Sequence, residues 1–172
     1  MNGDSEHELP ESSDWESWVH QHAPRLLLYA RQQARTEADA QDLVQEAMVE
    51  CWERQPRNTP PPLAMVFATI RRRAIDLARR EHRRDRREAT ALEHQPQCWF
   101  DPGPEQREFN DLIENAMRQL PVIYREVMTL KIWGELTFTE IADLTGVPPN
   151  TAASRYRYGL IELRKLTKGV LA

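Results

Sequence analysis

Cysteine is almost missing from this sequence: Cys51 and Cys98 are the only two among its 172 residues. A disulfide framework is therefore excluded, and a reducing compartment, the cytoplasm, is expected. No apolar run approaches the roughly 18 residues that span a bilayer, so no membrane insertion is expected. The mean hydropathy of −0.70 describes a surface-rich, soluble chain. The opening stretch MNGDSEHELPESSDW carries no Lys or Arg, which sets it apart from a secretory signal or a transit peptide. Glycine is scarce, at six, and there is no P-loop, no CxxC and no Ser/His/Asp set, so enzymatic chemistry has no evident carrier. His20 and His22 fall in a helical pattern and read as surface or core residues. His94 and Cys98 stand at i and i+4, but two ligands do not make a structural zinc site. No catalytic residue, metal site or cofactor is expected.

What the chain does have is charge, unevenly placed. The net charge is −4. Residues 1–24 carry six acids and no Lys or Arg, giving −6. Residues 71–88 carry nine Arg against four acids, giving +5, and residues 150–172 carry five Lys or Arg against Glu162, giving +4. Nucleic-acid binding needs local positive charge, not a positive total. Two basic segments on an acidic chain imply two contacts with phosphate and acidic surfaces kept for another partner.

Twelve prolines punctuate the chain in clusters: Pro60 to Pro62, then Pro96, Pro102 and Pro104 around QCWFDPGP, then Pro148 and Pro149. Between these breaks the apolar residues recur at helical spacing. Helices are predicted at about 15–34, 37–54, 63–87, 105–119, 121–134, 138–145 and 149–168. The fold class is all-α: two small helical domains joined by a Pro-rich linker. The boundaries are an acidic tail at 1–14, expected to be disordered, a first domain at 15–88, a linker at 89–104, a second domain at 105–168 and a short tail at 169–172. The first three helices bury Val19, Ala23, Leu26, Leu27, Ala30 and Ala34, then Leu43, Val44, Ala47, Met48 and Cys51, then Val66, Phe67, Ile70, Ala74, Leu77 and Ala78. Trp52 and Phe67 read as core.

The sharpest local pattern is LTFTEIADLTGVPPNTAASRYRYGLIELRKL (136–166), a helix-turn-helix. Thr137 and Glu140 form a capping box, Gly146 suits the positive φ of the turn, and Pro149 fits a first helical turn. On the last helix Ala152, Tyr156, Gly159, Leu160, Leu163 and Leu166 form the inward stripe. Asn150, Ser154, Arg157 and Tyr158 lie opposite, flanked by Thr151 and Arg155, a face able to enter a major groove. An ordinary αα-hairpin with solvated arginines fits the same spacing.

The second helix turns Asp39, Asp42, Gln45, Glu46, Val49 and Glu53 outward. One apolar residue among acids suits docking to a basic partner, although a solvated face is the commoner use. Asp39, Asp42 and Glu46 also have metal-ligand spacing, but no His or second acidic helix converges on them. The third helix turns Arg72, Asp76, Arg79, Arg83 and Arg86 outward, with Arg80 and Arg87 beside them. Arg suits bidentate phosphate contacts and base stacking; a salt-bridged, solvated helix is the alternative.

Together these pieces resemble the extracytoplasmic-function (ECF) group of sigma-70 family RNA polymerase sigma factors. DAQDLVQEAMVECW (39–52) resembles the family's polymerase-binding helix, FATIRRRAIDLARRE (67–81) the helix that engages the −10 promoter element, and residues 120–166 the domain that reads the −35 element. The likeness covers about 15–168. It implies a bacterial cytoplasmic protein, nucleoid-associated when bound to polymerase. It also implies binding to core RNA polymerase, through the clamp helices of the largest subunit and the flap of the second largest, and recognition of promoter DNA. An anti-sigma factor is a further partner the family brings with it.

Carried over, Asp42, Gln45 and Glu46, with Asp39 and Val49 on the same face, are the polymerase-binding positions. Arg72, Asp76, Arg79, Arg80 and Arg83 face the −10 element. Ser154, Arg157 and Tyr158, with Asn150, Thr151 and Arg155, face the −35 element. The resemblance also implies that the linker from Glu93 to Pro104 threads toward the polymerase active-site cleft, with Trp99 and Phe100 docking there or packing on a helical domain. Three departures stand out: Ala153 replaces a usual Lys or Arg, Arg72 replaces a usual Asn, and Met65 stands where a Trp is expected, after the Pro-rich loop QPRNTPPP. The rival reading is a helix-turn-helix regulator that binds DNA without polymerase. It accounts for residues 120–168 and leaves the acidic and arginine helices unexplained.

Overall fold

A computed structural model describes residues 13–56, 59–88, 98–100, 103 and 107–168, with the backbone alone at 13, 14 and 85–88. The acidic tail up to residue 12, His94, most of the Pro-rich linker and the side chains of Arg86 and Arg87 lie outside the described residues. Seven helices follow one another among them: α1 (Ser13–Gln33), α2 (Glu37–Glu53), α3 (Leu63–Glu88), α4 (Arg107–Gln119), α5 (Val122–Ile132), α6 (Phe138–Thr145) and α7 (Pro149–Lys168). The described residues contain no strand, as the helical periodicity predicts.

The amphipathic stripes explain how α1, α2 and α3 pack on one another. Leu26, Ala30, Leu43, Val44, Ala47, Cys51, Val66, Phe67 and Ile70 are buried at their meeting point. Each Leu, Ile or Phe so placed contributes about 1.5–3 kcal/mol of transfer free energy. Tyr29 meets Phe67 edge to face at 5.3 Å. Cys51 is core, its Sγ 3.3 Å from Thr69 Oγ1. Thr36 caps α2 by accepting the Asp39 N–H, which satisfies one of the donors that every helix start leaves open.

Three inward assignments are corrected. Ala78 is exposed because α3, at about 39 Å, outruns α2 at about 26 Å; Arg35–Glu81 at 3.1 Å lies near the end of the overlap. Leu160 is 41 % exposed, because Gly159 and Leu163 supply the packed edge of α7. Trp52 is not core either: it is 36 % exposed and is covered on one side by Trp15, whose ring centroid is 4.3 Å away.

The two helical halves are not separate in space. Leu136, Val127, Leu130, Ile141, Ala142 and Ala152 join one buried cluster with α1–α3, and α6 packs against α3. Polar groups cross the same seam. Glu126 on α5 accepts from Tyr29 Oη at 2.8 Å and from Arg71 Nε at 2.9 Å. Thr129 donates to Gln32 at 3.0 Å, and Arg25 pairs with Glu135 at 2.9 Å. Burial, and then the charge and hydrogen bond of Glu126, push the Tyr29 phenol well above its ordinary value.

The linker aromatics take part in this packing. Trp99 is 4 % exposed; its N–H donates to Glu114 and its carbonyl accepts from Arg31. Arg118 stacks over its ring at 4.0 Å. Phe100 lies 5.5 Å from Trp133. In the chain by itself, the pair packs on the helical body.

Candidate nucleic-acid and partner interfaces

Hydrogen bonding at the helix ends sets the geometry of the helix-turn-helix. Thr137 Oγ1 accepts from Glu140 N at 3.2 Å, and Thr137 N donates back to Glu140 Oε2 at 2.8 Å. The hydrogen bonds from Thr137 hold the Glu140 carboxyl below its ordinary value. Gly146 closes α6 at φ 72°, its N–H on Ala142 O at 2.8 Å, a left-handed position that a Cβ would strain. Gly159 is needed for another reason: a Cβ there would stand 2.5 Å from Met128 Sδ. That close approach seats α7 on α5. Gly159→Ala must displace the flexible but fully buried Met128 side chain and gains about 1 kcal/mol of helix propensity, so the net loss should stay below about 2 kcal/mol, read as a lower urea midpoint.

On α7, Asn150, Arg157 and Tyr158 are exposed, while Thr151, Ser154 and Arg155 are half-buried on the same helix. The Arg157 guanidinium lies 5.1 Å from the Tyr158 ring, and Tyr158 stands 6.4 Å from Tyr124. This tilted aromatic pair lies beside the face.

In the first half, Asp42, Gln45, Glu46 and Val49 are exposed along α2, with Asp39 half-buried. Arg72, Arg79, Arg80 and Arg83 are exposed along α3 and Asp76 is half-buried. What the helical wheels do not show is that these two faces border one groove of about 250 Å³, between Asp39, Asp42 and Glu46 on one wall and Arg72, Asp76 and Arg80 on the other. Ion pairs cross it. Arg73 pairs with Glu46. Glu50 receives both of its oxygens' contacts from Arg72 Nη2, at 2.6 and 2.7 Å, together with Arg73 Nε at 3.0 Å and Arg54 at 2.6 Å.

Burial would raise the Glu50 carboxyl; the hydrogen bonds from Arg72 and Arg73 and the charges of Arg72 and Arg54 outweigh it and hold the group low. Sequence reasoning missed Glu50, although Glu50 and Arg54 stand at i and i+4, a readable signal. Met65 is half-buried and its sulfur lies 3.5 Å from Gln55 Nε2. It packs toward the core cluster instead of presenting a flat ring.

Among the described residues no group of three His, Cys, Asp or Glu is arranged to hold an ion. Burial and the charge of Arg25 push the His22 imidazole below its ordinary 6.5, and its ring packs on Trp18 at 4.7 Å. That fits a packed histidine. No helix of the described residues is long and apolar enough to cross a membrane.

Comparison with known proteins follows the same division of the chain. Residues 18–84 match the family model for sigma-70 region 2, and residues 110–163 match the model for sigma-70 region 4. The chain is 26 % identical over 157 residues to the RNA polymerase sigma-E factor of Streptomyces coelicolor, covering 91 % of this chain and 88 % of that protein. It is 26 % identical over 155 residues to the ECF RNA polymerase sigma factor RpoE of Cereibacter sphaeroides, covering 83 % and 80 %. The fold is similar to that of the sigma factor RpoE from Bartonella quintana, solved in complex with the anti-sigma factor NepR. The TM-score is 0.72 at 18 % identity, over 90 % of this chain and 97 % of that one. The region 2 match covers the acidic and arginine helices that a free-standing helix-turn-helix regulator leaves unexplained. The chain belongs to the sigma-70 family of RNA polymerase sigma factors, in its extracytoplasmic-function group.

Proposed function

We propose that this sigma factor docks on core polymerase through Asp39, Asp42, Gln45, Glu46 and Val49 of α2, meets the −10 element with Arg72, Asp76, Arg79, Arg80 and Arg83 of α3, and meets the −35 element with Asn150, Thr151, Ser154, Arg155, Arg157 and Tyr158 of α7. The observation that carries this assignment is the separation of charge: an acidic face suited to a protein surface, and two basic faces on different helices suited to DNA. Residues 15–88 act as the polymerase and −10 module, 105–168 as the −35 module, and 89–104 as their tether. The chain works in the bacterial cytoplasm and joins the nucleoid with polymerase. It catalyses nothing itself. Binding to unstacked −10 bases offsets the few kcal/mol that unpairing each base costs. An anti-sigma partner, of the kind solved with the Bartonella quintana protein, belongs to the same proposal.

The test is transcription with core polymerase from a randomised promoter library, with the transcripts sequenced. Two separated preferred elements are expected, and their absence would overturn the reading. Arg157→Ala should cost about 1–3 kcal/mol of discrimination at one or two positions of the upstream element, the value of a good bidentate base contact. An even loss across all sequences would make Arg157 a phosphate contact instead.

A further inference from the structure

The pairing of Glu50 has a consequence for how docking and DNA binding communicate. Glu46, on the docking face, is tied to Arg73; Arg73 is tied to Glu50; Glu50 is tied to Arg72, on the −10 face. Two carboxylates and two guanidiniums thus run in a line from the helix read as the polymerase contact to the helix read as the DNA contact. Glu50 is the crowded member. Its side chain is 16 % exposed, against 54 % for Arg72 and 57 % for Glu46, so it holds its partners where water competes least. A carboxylate has about four acceptor sites, and Arg54, Arg72 and Arg73 all draw on them.

We infer that Glu50 is a positioning residue that keeps Arg72 on the protein in the free chain and yields it to promoter DNA when polymerase claims Glu46. This rests on the assignment of α2 and α3 given above. The exchange balances in charge and contacts. A basic group of the polymerase replaces Arg73 on Glu46, Arg73 turns wholly to Glu50, and Glu50 gives up the contacts it shared with Arg72. The Arg72 guanidinium, already at the groove edge, then meets a phosphate or an unstacked base instead of a carboxylate. A ligand can shift an equilibrium only through its different affinity for the two states. Here that difference is the competition of Arg72 and Arg73 for a carboxylate that Arg54 also occupies. Glu50 acts on DNA through Arg72 and does not itself touch it.

The experiment compares the full chain with its Glu50→Gln variant, which keeps the shape and removes the charge. Binding of a fluorescent single-stranded DNA of 20 mixed-sequence nucleotides is followed by anisotropy, with and without core polymerase. Without core, Glu50→Gln should bind the strand about three- to five-fold more tightly, the size that pairs with members as exposed as Arg72 and Glu46 can supply. With core the two proteins should bind nearly alike, so the gain conferred by core shrinks by the same factor. Adding Arg72→Gln should remove the gain of the free variant.

A gain that is equal with and without core, or that survives Arg72→Gln, would be a plain charge effect and overturns the proposal. So does no gain at all. The underlying assignment is tested apart: if Arg72→Gln alone leaves DNA binding of the holoenzyme unchanged, the −10 role of Arg72 is what fails.

Discussion

Reversing Asp42 and Glu46 to Lys together will take the chain out of its complex with core polymerase, raising Kd by at least about 100-fold, because like charges brought together across an interface cost several kcal/mol. Both side chains are exposed, so the helix itself loses little. Glu46 does give up its pair with Arg73, but an exposed pair of this kind contributes no more than about 1 kcal/mol. Leu43, Val44 and Ala47, which hold α2 in the core, are untouched. Far-ultraviolet circular dichroism should therefore be unchanged while co-elution with core on gel filtration disappears. Co-elution that persists with the double reversal would remove α2 from the docking surface. A reversal that also lost helical content would show that the pair with Arg73 is needed for folding.

Glu126→Ala will lower stability by about 3 kcal/mol, the cost expected when one member of a buried hydrogen-bonded charge pair is removed. The Tyr29 ring is fully buried, so its hydroxyl has no route to water once the carboxylate is gone. Arg71, 30 % exposed, can turn outward, which keeps the loss at the lower end of the range. For a chain of this size the melting temperature should fall by about 6–12 °C. Glu126→Gln, which keeps an acceptor, should recover part of that loss. Because α5 and α6 share one buried cluster with α1–α3, unfolding in urea should be a single transition when followed by tryptophan fluorescence and by circular dichroism. Two separated transitions would mean that the halves do not support one another. The raised Tyr29 phenol adds a pH signature: its contribution is complete below its ordinary value of 10 and is lost as the pH rises through the higher folded value.

The helices themselves were legible in the sequence because each is written in short-range terms. Leu43, Val44, Ala47 and Cys51 repeat at helical spacing, Thr137 and Glu140 announce a start, and Gly146 announces a stop. These signals act over one or two turns, so no knowledge of the rest of the chain is needed to read them. The same holds for the exposed faces: Arg72, Arg79 and Arg83 point outward on any regular helix, and so do Asn150 and Arg157. The family motifs added the partners that spacing alone left open.

Tertiary structure decided what depends on residues far apart. Glu126 reads as one more surface acid of α5 until Tyr29, 97 positions earlier, and Arg71, 55 positions earlier, are brought to it. Trp99 reads as a stray aromatic in a tether until Arg118 stacks on it and Glu114 takes its N–H. Ala78 and Leu160 continue their stripes correctly and are nonetheless exposed, because a stripe is buried only as far as its neighbour reaches. Glu50 gains its importance from the register of α2 against α3, which adds Arg72 and Arg73 to the Arg54 that its own helix supplies. Periodicity fixes the direction of a side chain about its own helix axis, while the position of the facing helix depends on packing energies summed over the whole core.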